Sequence, residues 1–247
     1  MPTELSLVIP AYNEAARLPR YLAAVRSYLD ARRRGAYEVI VVDDGSGDGL
    51  PEVLARAASD WPELAVMRHA TNQGKGAAVR TGMLAARGER LLFADADGAT
   101  PIGQETGLSE AIGAGADVAI GSRLLAAPGV TRRRTWSRGL AGRLFARFAR
   151  WWLGIDARDT QCGFKMFRRE AARELFGRSR ESGYLFDLEL LVLARRLGYR
   201  VDEVPVNWAD VPGGHLSLAR SLPGVLLGLW RLRRRLVKGQ DLPTVSG

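Results

Sequence analysis

Hydrophobic and polar positions alternate along the first half of the chain in a way that names its elements. Short runs that are apolar almost throughout, LSLVIP (5–10), YEVIVVDD (37–44), LAVMRH (64–69), RLLFAD (90–95) and DVAIGS (117–122), read as strands. Between them lie segments of helical period near 19–34, 50–60, 75–87 and 103–114, the first opened by Pro19, whose missing N–H costs nothing in a first helical turn. Strands buried on both faces and separated by helices predict a mostly parallel α/β sheet, doubly wound and Rossmann-like, with helices on both faces. Further on, GYLFDLELLVLARRLG (183–198) predicts a helix with an acidic start, and RVDEVPVNW (200–208) a late strand.

In such a sheet, ligands gather at the carboxyl ends of the strands. The polar residues of this sequence gather there too: PAYNE (10–14), DDGSGDG (43–49), DADGAT (95–100) and GSR (121–123) each follow a strand. Asp95 and Asp97 are the sharpest case. Two acids one residue apart at the exit of a buried strand repel unless a cation lies between them, and hard carboxylate oxygens suit Mg2+ or Mn2+. Standing alone, Asp-x-Asp is as readily a solvated loop or a helix cap; its place beside three other polar exits favours the metal. Asp43 to Gly49 has the composition of a turn, and Asp44 is expected to face ligand as well, accepting from a ribose hydroxyl or a base N–H. Tyr12 can stack on a base while Glu14 accepts from it. NQGKGAAVRTG (72–82) fits neither the phosphate loop nor the dinucleotide fingerprint, so its glycines are expected to open a helix close to the sheet.

Composition then narrows the class. The 247 residues suffice for one large α/β domain. A net charge of +9 calls for an anionic partner. The single cysteine, Cys162, excludes an internal disulfide framework. The opening MPTELSLVIP lacks the basic start and apolar run of a secretory leader, and no apolar stretch is long enough to predict a membrane-spanning helix. Positive charge concentrates in the second half: residues 131–155 hold seven arginines and no acid, with Trp136, Trp151 and Trp152 among them, and 217–238 mixes Leu, Val and Trp with six basic residues and no acid. Segments 136–154 and 219–238 read either as packing helices with solvated arginine faces or as amphipathic helices lying in an anionic membrane interface; the missing acids favour the second. Binding of nucleic acid would explain the charge but not the acidic strand exits.

PAYNE, VVDDGS, GKGAAVRTG, DADGAT, GSR, DTQCGFKMF, FDLELL and VNW, in this order over roughly residues 5–235, resemble the family 2 glycosyltransferases of GT-A fold. More narrowly they resemble dolichyl-phosphate β-glucosyltransferases and their polyprenyl-phosphate relatives, with dolichyl-phosphate mannose synthases next. The resemblance implies one domain over 1–238, with a nucleotide-sugar half (1–125), an acceptor and membrane-facing half (126–238) and a tail (239–247). It implies that Pro10, Tyr12, Glu14, Val42 and Asp44 hold the nucleoside, with Lys75 in the same donor site. Asp95 and Asp97 would hold the metal and diphosphate, and Ala96 would touch the nucleotide through its backbone. Arg123 and Arg138 would meet donor or acceptor phosphates. Lys165 is a further candidate for the acceptor phosphate, and His215 takes a place where relatives often carry lysine. Ala99 stands where mannose synthases tend to carry glutamine, leaving a third protein ligand for the metal open.

The implied reaction is inverting transfer of a hexose, glucose from UDP-glucose, onto a polyprenyl or dolichyl phosphate, at the cytoplasmic face of a membrane. GDP-mannose as donor, or a sugar hydroxyl as acceptor, are the alternatives. A lipid phosphate with a second pKa of about 6 is already a dianion at neutral pH and needs no general base. Asp97, Arg123 and Asp187 are the residues nearest the chemistry in this scheme. Asp187 matches the place where hydroxyl-modifying relatives keep a catalytic acid, but an acidic first helical turn or a positioning role suits a phosphate acceptor better.

Overall fold

The computed structural model describes residues 3–127, 129–133, 150–211 and 227–235. Nine strands are placed among them: β1 (Leu5–Ala11), β2 (Tyr37–Asp43), β3 (Leu64–Arg68), β4 (Arg90–Ala94), β5 (Val118–Ser122), β6 (Arg132–Arg133), β7 (Phe164–Arg168), β8 (Val201–Pro205) and β9 (Trp208–Ala209). The helices are α1 (Leu18–Arg33), α2 (Leu50–Ala58), α3 (Lys75–Ala85), α4 (Glu105–Gly113), α5 (Arg169–Arg178) and α6 (Phe186–Arg196), and residues 227–235 are also helical.

Seven strands form one sheet in the order β3-β2-β1-β4-β7-β5-β8. All neighbours are parallel except β7, which runs antiparallel to both β4 and β5. The doubly wound α/β architecture expected from the sequence is therefore present, with one reversed strand wedged into its middle. The period-2 alternation of the strands sorts their side chains onto two faces. Val8, Val42, Leu91, Phe93 and Phe167 pack with α3, α5 and α6, whereas Leu7, Val41, Leu92, Phe164 and Met166 pack with α1 and α4.

Local chemistry sets the helix ends. α1 carries its proline in the first turn, buries Leu18, Tyr21, Leu22, Val25 and Leu29 on one stripe, and ends at Arg34 and Gly35, both at positive φ. α3 lies close on the sheet because Gly82 has no side chain: a Cβ there would run into Val8 and stand 3.1 Å from Val42. The late strand expected over 200–208 is two pieces. β8 stops at Pro205, and Asn207 breaks the run: its N–H donates to Gln104 Oε1 (2.9 Å) and its Oδ1 accepts from Thr131 N (2.7 Å). β9 then pairs with β6 in a separate two-stranded ladder.

Candidate active site

The exits of β1, β2 and β4 converge on a cleft of about 380 Å³, which Gly183 and Tyr184 also line. Pro10, Tyr12, Glu14, Asp44, Lys75, Asp95, Ala96 and Asp97 all line it. Val42 does not: it is fully buried under Gly82 of α3 and serves the cleft only as core beneath it. A larger depression of about 660 Å³ lies along the edge strand β8, and no sequence-predicted site residue lines it.

Each wall has a local cause. The first two strand exits are tied together. Asn13, at φ 55°, donates its N–H to Ser46 Oγ (2.9 Å), while its Oδ1 accepts from Gly47 N (3.0 Å). This leaves Tyr12 over the cleft with 43% of its surface exposed. The two acids after β2 divide the labour that the sequence expected of them. Asp43 shapes the turn by accepting from Ser46 N (2.9 Å). Asp44 accepts from Gln73 N (2.9 Å) and Gly74 N (2.8 Å) and pairs with His69 Nδ1 (2.7 Å), so it organises the approach to α3 while lining the cleft. His69 is fixed at its other nitrogen by Thr81 Oγ1 (3.0 Å).

The cation beside the β4 acids is Lys75, whose Nζ lies 2.6 Å from Asp95 Oδ1. Burial, the largest influence on that ammonium, favours its neutral form, but Asp95 and Asp187 outweigh it and hold the pKa above the ordinary lysine range. Asp97 is pushed up by burial and by Asp95, against the hydrogen bond from Ala99 N (3.0 Å) and the charges of Arg17 and Lys75. Arg17, which the sequence did not single out, is held at the cleft by Glu14, accepting through Oε2 at 2.7 Å from Nε.

Asp95 rests on Gly163. The Asp95 N–H donates to Gly163 O (3.0 Å), and a methyl group on Gly163 would overlap the Asp95 carboxylate. No spacing rule marks this glycine; only the antiparallel seat of β7 brings it under β4.

Two carboxylates of the right kind for a hard divalent cation thus line the cleft, Asp97 being pushed up by burial first and then by Asp95. The buried phenol of Tyr21 adds an unpartnered hydroxyl whose proton burial, Asp95 and Asp97 all help retain. Among the described residues no group of three or more His, Cys, Asp or Glu converges, so Asp95 and Asp97 would hold such an ion with oxygens of a ligand completing its shell.

The remaining sequence-predicted residues lie elsewhere. Arg123, after β5, is outside the cleft lining and is bound to Asp159 through its backbone N–H, Nε and Nη2, each at 2.8 Å. Lys165 is fully buried in β7, its Nζ 2.5 Å from Asp187 Oδ1 and 2.5 Å from Cys162 O. It thus faces α6 rather than an opening, because a strand between β4 and β5 is covered on both faces and a lysine there must bring its counter-ion with it. Asp187 is that counter-ion, buried in the first turn of α6, and burial raises its pKa despite the two nearby lysines. Arg138 and His215 lie outside the described residues.

The basic, aromatic surface is partly in view. Trp151 is 76% exposed; Leu227 and Trp230 are about half exposed. Arg233 stacks 4.0 Å from the Trp152 ring centroid and Arg234 4.7 Å from that of Trp230. Among the described residues no helix is long and apolar enough to cross a membrane.

The family model described as glycosyl transferase family 2 matches residues 6–176. A dolichyl-phosphate β-glucosyltransferase of Drosophila melanogaster is 39% identical over 253 residues, covering 93% of this chain and 77% of its own. The human dolichyl-phosphate β-glucosyltransferase is 36% identical over 255 residues, covering 94% of this chain and 78% of its own. Among solved structures, glucosyl-3-phosphoglycerate synthase from Mycobacterium tuberculosis, in complex with Mn2+, UDP and glucosyl-3-phosphoglycerate, superposes with a TM-score of 0.65 at 23% identity, over 92% of this chain and 80% of that one, a likeness of fold. A strand order interrupted by one reversed strand, acids at the exits of β1, β2 and β4, and relatives alike over nearly the whole length lead to one assignment: this chain belongs to glycosyl transferase family 2, with the dolichyl-phosphate β-glucosyltransferases.

Proposed function

We infer that this glycosyltransferase moves glucose from UDP-glucose onto the phosphate of a dolichyl or polyprenyl carrier, with inversion, giving a β-linked lipid-phosphate sugar. The observation that carries the reading is the meeting of Asp95, Asp97 and Lys75 in one cleft, in a chain alike to dolichyl-phosphate β-glucosyltransferases over more than nine-tenths of its length.

The residues divide the work. Tyr12 offers a face for the uracil ring, and Asp44 and Glu14 offer acceptors for its N–H and the ribose hydroxyls. Asp95 and Asp97 would hold Mg2+ or Mn2+, which when bound supplies positive charge for the departing diphosphate. Lys75 and Arg17 add fixed cations on the same wall, where charge on that leaving group grows. The acceptor brings its own nucleophile, a phosphate dianion, so the chain needs no base at the reacting oxygen. Asp187 accordingly remains buried against Lys165. Arg123 is the described arginine best suited to hold the acceptor phosphate, since its guanidinium is one-third exposed and planar, with Asp159 fixing its orientation.

The exposed Trp151, Leu227 and Trp230 beside Arg233 and Arg234 suit peripheral docking on an anionic membrane, and a carrier phosphate must be met at such a surface. The same reading puts that docking on the cytoplasmic leaflet, within reach of a water-soluble nucleotide-sugar donor.

The test is a donor and acceptor screen. Purified protein with Mn2+, a short polyprenyl phosphate and radiolabelled UDP-glucose should put label into an organic-soluble product whose anomeric proton reports a β linkage, and EDTA should abolish it. Equal or greater transfer from GDP-mannose, or label only on a sugar hydroxyl, overturns the reading.

A further inference from the structure

Glu189 sits in α6 with no exposed surface, and the chemistry above makes no use of it. Its two oxygens face different parts of the molecule. Oε2 accepts from Ser179 Oγ (2.6 Å), Arg180 N (3.0 Å) and Glu181 N (2.8 Å), gathering the turn that leads from α5 to α6. Oε1 accepts from Arg235, at the end of the 227–235 helix, whose Nη2 also lies 3.2 Å from Glu181 Oε1. Three hydrogen bonds and an ion pair leave this buried carboxylate fully satisfied. Burial and Glu189 both push the Glu181 carboxyl up, so the Arg235 guanidinium is the charge that lets two neighbouring acids share this place.

The gathered turn bears directly on the cleft. Ser182 O accepts from Ala77 N (3.2 Å) in the first turn of α3. Gly74 and Gly76 lie so close to this turn that a Cβ on either would overlap the carbonyl of Ser182 or Glu181. Lys75 stands between those two glycines, and the turn continues into Gly183 and Tyr184 on the cleft wall. A contiguous path therefore runs from the 227–235 helix, which carries the exposed Leu227 and Trp230, through Arg235, Glu189 and the 179–184 turn to Lys75.

We propose that Glu189 and Arg235 are positioning residues of the transfer reaction: together they hold the 179–184 turn that seats Lys75 and closes the cleft, so that the aromatic, basic helix of the second half braces the donor site. The role rests on the cleft being the donor site. Neither residue touches the donor; both act through the turn.

The experiment compares Arg235→Gln, Arg235→Lys and Glu189→Gln in the full chain. Two readouts are taken: UDP-glucose affinity with Mn2+ by calorimetry alongside KM and kcat, and amide hydrogen exchange at Ala77 without ligand. Removing the ion pair loosens the wall, so R235Q should raise Kd and KM about tenfold with kcat changed less than about threefold, and speed Ala77 exchange about tenfold. R235K should recover most of both effects. E189Q keeps an oxygen for the turn but loses the charge facing Arg235, so it should match R235Q, and the double variant should be no worse than either single one. Unchanged affinity and Ala77 exchange in both single variants, or additive losses in the double one, overturns the proposal. If the wild-type protein itself ignores UDP-glucose, the donor assignment fails, while the exchange arm still decides whether the brace exists.

Discussion

At the end of β4 two aspartates face an open cleft with Lys75 beside one of them, whereas at the end of β5 Arg123 is gripped by Asp159 through three N–H groups. The first site sets two half-buried carboxylates side by side, and burial first, then Asp95, push the Asp97 carboxyl up. The second balances its cation internally. The difference separates a place with room for a further cation from one whose geometry is already set: the Arg123 guanidinium is held in one orientation by Asp159.

The largest effect should come from removing the two cleft carboxylates. Replacing Asp95 and Asp97 together with asparagine should lower kcat at least about 1000-fold and abolish stabilisation by Mn2+ with UDP, while the melting temperature of the unliganded protein changes little, the relief of repulsion being offset by the lost Lys75–Asp95 pair. Turnover that survives in chelator-treated double variant would erase the contrast between the two exits. A smaller loss, about 100-fold in kcat/KM, is expected from Gly163→Ala, because the added methyl must displace the Asp95 carboxylate from its seat. A structure or chemical-shift map of that variant with β4 and Asp95 unmoved would show that the seat does not matter.

The β5 exit should answer in stability rather than in metal dependence. Burial alone would raise the Asp159 carboxyl, but the Arg123 hydrogen bonds and charge outweigh it and hold its pKa below the ordinary 3.8. A depressed folded pKa contributes stability that is present above the unfolded value and is lost as pH falls through the folded one. Asp159→Asn should therefore cost about 2 kcal/mol near pH 7, with Arg123 one-third exposed and its charge partly screened, and the gap from wild type should close as acid protonates the native carboxylate. Denaturant titrations at pH 7 and at the lowest pH the fold tolerates measure it; a gap that widens in acid contradicts the pairing.

Much of the donor side was legible because it is local. The apolar runs of β1, β2 and β4 end in PAYNE, DDGS and DADG, and chain order alone puts those ends on one edge of a parallel sheet. What stayed hidden is set by pairing across long separations. FKMFR is only five residues inside the compact section DTQCGFKMFRRE (159–170), to which the sequence assigns no element, yet it enters the sheet antiparallel between β4 and β5, and this one event buries Lys165, seats Gly163 under Asp95 and lets Cys162 O reach the Lys165 ammonium. Lys165 stands as a candidate for the acceptor phosphate on its charge; the acid that answers it lies 22 residues later on α6. Asp159 was likewise invisible without the fold, since it lies 36 residues from Arg123.

The reversed strand also orders events in time. Residues 5–97 contain every strand-exit acid of the cleft, but the backbone on which Asp95 leans arrives with residue 163, and the turn that packs against Lys75 arrives after residue 179. As the chain emerges from the ribosome, the strands that carry the cleft acids are made first, and the seat of Asp95 and the turn against Lys75 are completed only when a later strand threads back through the sheet.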